Sequence, residues 1–298
     1  MSASKILALV LAGGKGTRLY PLTAELAKPA LPFAGGYRIV DFVLSNLINS
    51  RVSRIYVLAQ YKPQALIAYL RAAWSAGPDQ SDALVNVILP EREANPDGFR
   101  GTADAVYQAR GVVERHQPDL VAVFAADHVY RMDVRQMADF HERRLADVTI
   151  AALSVPIEKA RSFGVMTTRV SGRIESFHEK PQRPARIPAR PTHVYVSMGN
   201  YLFNPQVLLD ALRIANQRGE SDFGHHVLPA LSRTHRCYAY DFATNQVPGI
   251  QQYEDRGYWR DVGTIEAYVE AQKDVAGHRP RFQLRNPHWP IRGQRAAW

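Results

Sequence analysis

Cysteine is all but absent. Cys237 stands alone in 298 residues, which rules out an internal disulfide and a cysteine-cluster metal site and fits a reducing, cytoplasmic setting. Long apolar runs are missing too: none approaches the roughly 18 residues that a membrane span needs. The nearest imitation of a targeting signal is Lys5 followed by the apolar run 6–12. A buried strand accounts for that run, because glycine-rich turns follow it at once. There is no internal repeat, zinc-finger spacing, RNA-binding aromatic signature or leucine-zipper heptad. The surplus of 37 basic over 28 acidic residues, a net charge of +9, therefore does not point to nucleic acid. Much of it lies in two proline-rich stretches, 181–192 and 278–295, which read as a solvated loop and a solvated tail.

What remains is ordinary globular composition. With 46% hydrophobic and 22% charged residues, the chain can bury a sizeable core as one large domain or two. In the first half, strand-like apolar runs at 5–11, 54–59, 85–89, 120–125 and 148–155 alternate with helical spacing at 40–50, 63–74, 102–116 and 134–145. Strands apolar on both faces, alternating with helices, predict an α/β fold with a parallel sheet covered on each side. After residue 160 the texture changes. Residues 163–170, 173–181, 193–203 and 237–242 are strand-like, with helices at 205–216 and 264–274. The expectation is one mixed domain whose second half decorates the sheet and finishes a pocket. In open parallel sheets ligands sit beyond the carboxyl ends of the strands, so the residues just after each strand matter most.

The first strand runs into Gly13, Gly14, Lys15, Gly16, Thr17 and Arg18. The spacing fits neither a Walker A loop nor the G-x-G-x-x-G dinucleotide fingerprint. The physics is shared nonetheless. Glycines let backbone N–H groups approach an anion, and the forked guanidinium of an arginine matches phosphate oxygens.

The wider context narrows the reading. "LAGGKGTRLYPLT" is followed by "AKPALPFAG", "YRIVDFVLSNLINS", "FRGTADAVYQ", "AADHVY", "FGVM", "FHEKP", "SMGNYLF" and "YWRDVGTIEAY". In this order the set resembles the sugar-1-phosphate nucleotidylyltransferases, and within them the glucose-1-phosphate adenylyltransferase branch, over roughly residues 5–292.

The resemblance implies a Rossmann-like, mostly parallel mixed sheet with helices on both faces. It implies a catalytic domain over residues 1–276 and a basic tail over 277–298. It also implies a reaction of ATP with α-D-glucose 1-phosphate that yields ADP-glucose and pyrophosphate for glycogen or other α-glucan synthesis. Mg²⁺ would be the cofactor, and neither nucleic acid nor a membrane a partner. In such a transfer the attacking phosphate oxygen is already anionic. The site must align it with the α-phosphorus and offset crowded phosphate charge, so glycines, basic residues and metal-binding carboxylates are needed and a catalytic triad is not.

By resemblance, Asp127 and Asp261 hold the metal, since hard divalent cations prefer carboxylate oxygen. Arg18 and Lys28 face the nucleotide phosphates. Leu11, Ala12 and the loop Gly13, Gly14, Lys15, Gly16 and Thr17 line the nucleotide, with Gln60, Phe99, Gly101, Thr102 and Asp104 around adenine and ribose. An ordinary buried hydrogen-bonding role suits Gln60 equally well. Lys180 takes the phosphate of the sugar, Glu179 its hydroxyls, and Gly164 and Ser197 line the sugar pocket. His128 is read as structural, because the nucleophile has no proton to lose.

Three departures from the family pattern stand out. Ala24, Glu25 and Leu26 occupy a stretch that is basic in many relatives and tied there to sugar-phosphate activation. Asp97, Gly98 and Phe99 replace a segment that often carries a Trp-Tyr pair. "WPIR" leads, in the family, into a β-helix domain that supports a tetramer, whereas here Trp298 comes six residues after Arg292. The expectation is a fragment or a short form carrying the catalytic domain, for which an oligomer is possible and the family tetramer is not implied. Alternatives are transfer from another nucleotide or to another sugar 1-phosphate, and a non-catalytic regulatory subunit. The presence of Asp127, Asp261 and Lys180 argues against the last.

Overall fold

The computed structural model describes residues 4–74, 84–91, 96–187 and 190–293. Pro188 and Ala189 of the first proline-rich stretch, and Gln294 and Arg295 of the second, lie outside the described residues.

In chain order the strands and helices begin with β1 (Ile6–Ala12), β2 (Pro32–Phe33), β3 (Tyr37–Arg38), α1 (Val40–Asn49), β4 (Arg54–Ala59), α2 (Pro63–Ala73) and β5 (Leu84–Ile88). They continue with α3 (Thr102–Gln108), α4 (Arg110–His116), β6 (Leu120–Ala125), β7 (His128–Tyr130), α5 (Val134–Arg143) and β8 (Val148–Pro156). The rest are β9 (Gly164–Thr168), β10 (Ile174–Glu179), β11 (His193–Phe203), α6 (Pro205–Gln217), α7 (Leu228–Thr234), β12 (Cys237–Asp241), β13 (Trp259–Asp261) and α8 (Ile265–Asp274). The expected α/β character holds, with parallel and antiparallel strand pairs and helices between them.

The chain forms two compact units and passes between them several times. One comprises Met1–Leu7, Glu91–Phe124 and Arg135–Asn245; the other Ala8–Pro90, Ala125–Val134 and Gln246–Trp298. The change of texture near residue 160 is thus not a structural boundary.

In the first unit the long strand β11 is the hub. It pairs antiparallel with β6, β8 and β9, β10 pairs antiparallel with β9, and β12 runs parallel to β8. Alternation sets which side chains go inward: Val194, Val196 and Met198 are fully buried, and Val194 and Val196 pack with Ala160 and Val165. The β11 register slips between Ser197 and Tyr201, where Gly199 takes a left-handed φ of 74°. The helical spacing at 102–116 resolves into α3 and α4, broken at Ala109 (φ −86°, ψ 2°). Gly111, a poor helix former, follows just inside the second segment. Helix α7 and the π-helical turn before it, Phe223–Val227, went unread in the sequence.

In the second unit β1 lies beside β4, and β4 pairs parallel with β5. Helix α1 buries most of its length, and α8 starts at Thr264, whose hydroxyl accepts the N–H of Ala267 at 3.2 Å as an N-cap. One core joins Leu19, Phe33, Phe42, Val129 and Tyr258 to Phe282 and Ile291. The second proline-rich stretch is therefore not a solvated tail as far as Gly293. Phe282, Trp289 and Ile291 are buried, Trp289 Nε1 donates to Asn46 Oδ1 at 3.2 Å, and Arg292 N donates to Ser45 Oγ at 2.8 Å. Arg131 lies over the Phe282 ring and pairs with buried Glu254 at 3.0 Å. Apolar anchors spaced among the arginines override the basic composition.

Candidate active site

The second unit carries a glycine loop and a cluster of charges. Gly13 to Gly16 leave the end of β1, and Gly16 adopts φ 62°, the left-handed region that favours glycine. A β-carbon there would lie 3.1 Å from Thr23 and 3.2 Å from Lys28, so the backbone passes close to both. Gly14, Lys15, Thr17 and Arg18 are exposed, while Leu11 and Ala12 are largely sheltered. A β-carbon on Gly13 would meet that of Gln60 at 3.7 Å, which places Gln60 beside the loop.

Asp127 stands two residues past the end of β6, after Ala126. The next residues form β7, which pairs antiparallel with β13 so that Asp261 stands opposite His128. This two-stranded ribbon brings together residues more than a hundred positions apart. Lys28, only 6% exposed, reaches into it: its Nζ donates to Asp127 Oδ2 at 2.9 Å and to Asp261 Oδ1 at 3.1 Å. His128 Nε2 lies 3.3 Å from Asp127 Oδ1, and its ring packs on Trp259 at 4.8 Å. A methyl on Gly263 would sit 3.0 Å from the Asp261 carboxylate and 3.1 Å from the Arg18 guanidinium, which puts Arg18 at the same cluster.

The electrostatics follow from this packing. Burial works against ionisation of Asp127, but His128 and the ammonium of Lys28 hold its carboxyl well below the usual range. Burial opposes the charge on Lys28, and the two aspartates overcome it and push its pKa up. Burial pushes the His128 imidazole down despite the aspartates beside it. Potential ligand atoms of Asp127, His128 and Asp261 all lie within 4.8 Å of one another. Two carboxylates already converging on one cation, the Lys28 ammonium, are a donor set that fits a hard divalent ion such as Mg²⁺.

The first unit carries a second group. Glu179 is paired across the β10–β9 ladder with Gly164. A β-carbon on Gly164 would lie 2.9 Å from Glu179 Oε2, and one on Gly224 only 2.6 Å from it. The carboxylate is therefore wedged between two backbones that only glycine lets approach. Its other oxygen meets the half-exposed Lys180 at 2.9 Å. Lys180 itself holds a left-handed φ of 47°, and its N–H donates to Phe163 O at 3.0 Å. Ser197 and Tyr201 flank the β11 irregularity with hydroxyls 3.4 Å apart. Burial, helped by Glu179 and Asp222, pushes the Tyr201 phenol up, so it stays protonated as a donor.

Gly101, Thr102 and Asp104 serve the scaffold of this wall. Gly101 faces Ser221 O, which a β-carbon would approach to 2.4 Å, and that carbonyl accepts the N–H groups of Ala103 and Asp104. Thr102 Oγ1 donates to Asp222 Oδ2 and accepts from Phe223 N, both at 2.9 Å. The carboxylate of Asp104 is buried and taken up by Arg100 and Gln108, and Phe99 is buried nearby in sequence. Residues 221–224 thus connect the start of α3 to Glu179. Sequence reading passed over Ser221, Asp222, Gly224 and Tyr201. The polar, glycine-bearing "ESDFG" between two helical stretches was the available signal, but its partners are far away in the chain. Glu25, the departure noted above, is exposed and 3.7 Å from Lys62.

A strand-end glycine loop next to a carboxylate pair is the layout of a nucleotide-handling transferase, and comparison bears this out. Residues 7–278 match the model of the nucleotidyl transferase family, and the chain belongs to that family. Among curated relatives, the glucose-1-phosphate adenylyltransferase of Thermodesulfovibrio yellowstonii is 52% identical over 288 residues, covering 96% of this chain and 70% of the relative. The enzymes of the same name from Thermus thermophilus and Frankia casuarinae are 46% and 47% identical, with 97% and 98% of this chain and 71% of each relative covered. Among the described residues, no helix is long and apolar enough to cross a membrane.

Proposed function

We propose that the chain transfers the adenylyl group of ATP to α-D-glucose 1-phosphate, giving ADP-glucose and pyrophosphate. The observation that carries this reading is the convergence of Asp127, Asp261 and Lys28 beside a glycine-rich basic loop, in a chain whose relatives are named for that reaction.

The acceptor phosphate oxygen forms the new bond to the α-phosphorus as the bridging oxygen to pyrophosphate leaves. No proton moves, so no base is required and His128 is left a structural role. The backbone of Gly13 to Gly16 lets the nucleotide phosphates approach, and Lys15, Arg18 and Lys28 offset their charge. Bound between Asp127 and Asp261, Mg²⁺ would neutralise phosphate oxygens and stabilise the in-line transition state. Lys180 takes the sugar phosphate. Glu179, with the hydroxyls of Ser197 and Tyr201, reads the sugar hydroxyls, and Gly164 and Gly224 hold that carboxylate in place. Gln60, beside the glycine loop, takes the base or ribose. We place the reaction in the cytoplasm, where a lone buried thiol such as Cys237 stays reduced.

Pyrophosphate release measured with each nucleoside triphosphate and several sugar 1-phosphates tests the assignment. ATP with glucose 1-phosphate should lead every other pair by at least about tenfold in kcat/KM. Another nucleotide leading by that margin would reassign the donor.

A further inference from the structure

The Lys28 ammonium sits on the same two oxygens that a metal would need: Asp127 Oδ2 and Asp261 Oδ1. A hard divalent cation takes such oxygens at about 2.1 Å, inside the distances at which the ammonium stands. An ammonium and a divalent ion cannot occupy the same two oxygens at once, and at such short range they repel. We propose that Lys28 is a tethered counter-cation that competes with the divalent ion for the Asp127–Asp261 pair and is exchanged for it. This rests on the metal assignment above and adds a positioning role for Lys28.

The geometry supplies both halves of the exchange. With the ammonium in place, the carboxylates are held together without mutual repulsion, so the seat is preformed. For the displaced side chain there is somewhere to go. The Lys28 stem runs against the glycine loop, its β-carbon 3.2 Å from where one on Gly16 would stand, so the loop is the nearest alternative seat for the ammonium. Only the flexible end of the lysine has to swing; its backbone, in the short turn Lys28–Ala30, stays packed. The ammonium would then reach nucleotide phosphates only once the metal has entered, which orders the two events.

Mn²⁺ binding to the whole chain without nucleotide, followed by electron paramagnetic resonance, is the test. Lys28→Met, which keeps the stem and removes the charge, should bind Mn²⁺ at least about tenfold more tightly than the parent. Lys28→Arg, which keeps a competing cation, should stay within about threefold of it. Without metal, the Met variant should also melt below the parent and gain more from Mn²⁺. Equal or weaker Mn²⁺ binding by the Met variant overturns the exchange while leaving the metal site standing. Absence of Mn²⁺ binding in every variant overturns both. If the Met variant does not fold, reductive methylation of the parent decides. Lys28 should be protected without Mn²⁺ and labelled with it, against Lys15 and Lys62 as references, and unchanged labelling would refute the exchange.

Discussion

The Glu179 carboxylate lies 2.6 Å from the point where a β-carbon on Gly224 would stand. That proximity explains why a glycine occupies the first turn of an otherwise helical segment, and it makes Gly224 a handle on the carboxylate. Gly224→Ala should fold but push Glu179 out of position. We expect the KM for glucose 1-phosphate to rise about tenfold or more, with that for ATP changed less than about twofold. Equal effects on both substrates would place Glu179 outside the sugar site.

Lys180 separates binding from stability. Its side chain is half exposed, so Lys180→Gln should leave the melting temperature nearly unchanged, as exposed ion pairs contribute little. A charge-assisted phosphate contact contributes about 1.5–3 kcal/mol, so the KM for glucose 1-phosphate should rise by roughly tenfold or more. A variant that melts early with normal KM would make Lys180 structural.

Asp41 predicts a pH dependence. It is fully buried, and burial raises its carboxyl from 3.8 to about 6 against donors from Tyr69, Arg38 N and Trp74. A carboxyl whose folded pKa is raised binds its proton more tightly in the folded chain. Its favourable contribution is complete below the unfolded value and is lost as pH rises through about 6. The stability difference between the parent and Asp41→Asn should therefore shrink between pH 4 and 7 by an amount on the order of 3 kcal/mol. Urea unfolding of both proteins across that range measures it. A pH-independent difference would refute the shift.

Trp289 tests whether the proline-rich stretch is part of the core. The ring is 3% exposed and its N–H is held by Asn46. Trp289→Ala should lower stability by about 3–5 kcal/mol. A loss below about 1 kcal/mol would return this stretch to the solvated tail that its composition suggested.

The contrast between those residues and the rest shows what a sequence carries. Strands such as Arg54–Ala59 and Leu120–Ala125 were legible to the residue because a strand buried on both faces reads as a nearly continuous apolar run, here broken only by the exposed Arg54 at the start of the first. Gly13 and Asp127 stand out because each closely follows an apolar strand, where such chemistry collects, whereas Glu179 and Asp261 are picked out only by the resemblance of their motifs to the family's. What was hidden depends on distant partners. Lys28 is expected at the nucleotide phosphates, but only the pairing of β7 with β13 shows that Asp127 and Asp261 meet its ammonium. Gly101 is expected around the adenine and ribose, and only the fold sets Ser221 O against it. Composition misled at 278–293, where Phe282, Trp289 and Ile291 are few among many arginines yet decide the packing.

The most direct test of the whole account is ADP-glucose formation from ATP, glucose 1-phosphate and Mg²⁺, followed by mass spectrometry of the sugar nucleotide, in the parent and in Asp127→Asn. The amide keeps the shape of the side chain and removes the charge that faces Lys28 and would face the proposed metal. The parent should form ADP-glucose only when Mg²⁺ is present, and the variant should be slower by at least about a hundredfold, several kcal/mol of lost transition-state stabilisation. Formation of ADP-glucose by Asp127→Asn at near the parent's rate in saturating Mg²⁺ would contradict the account.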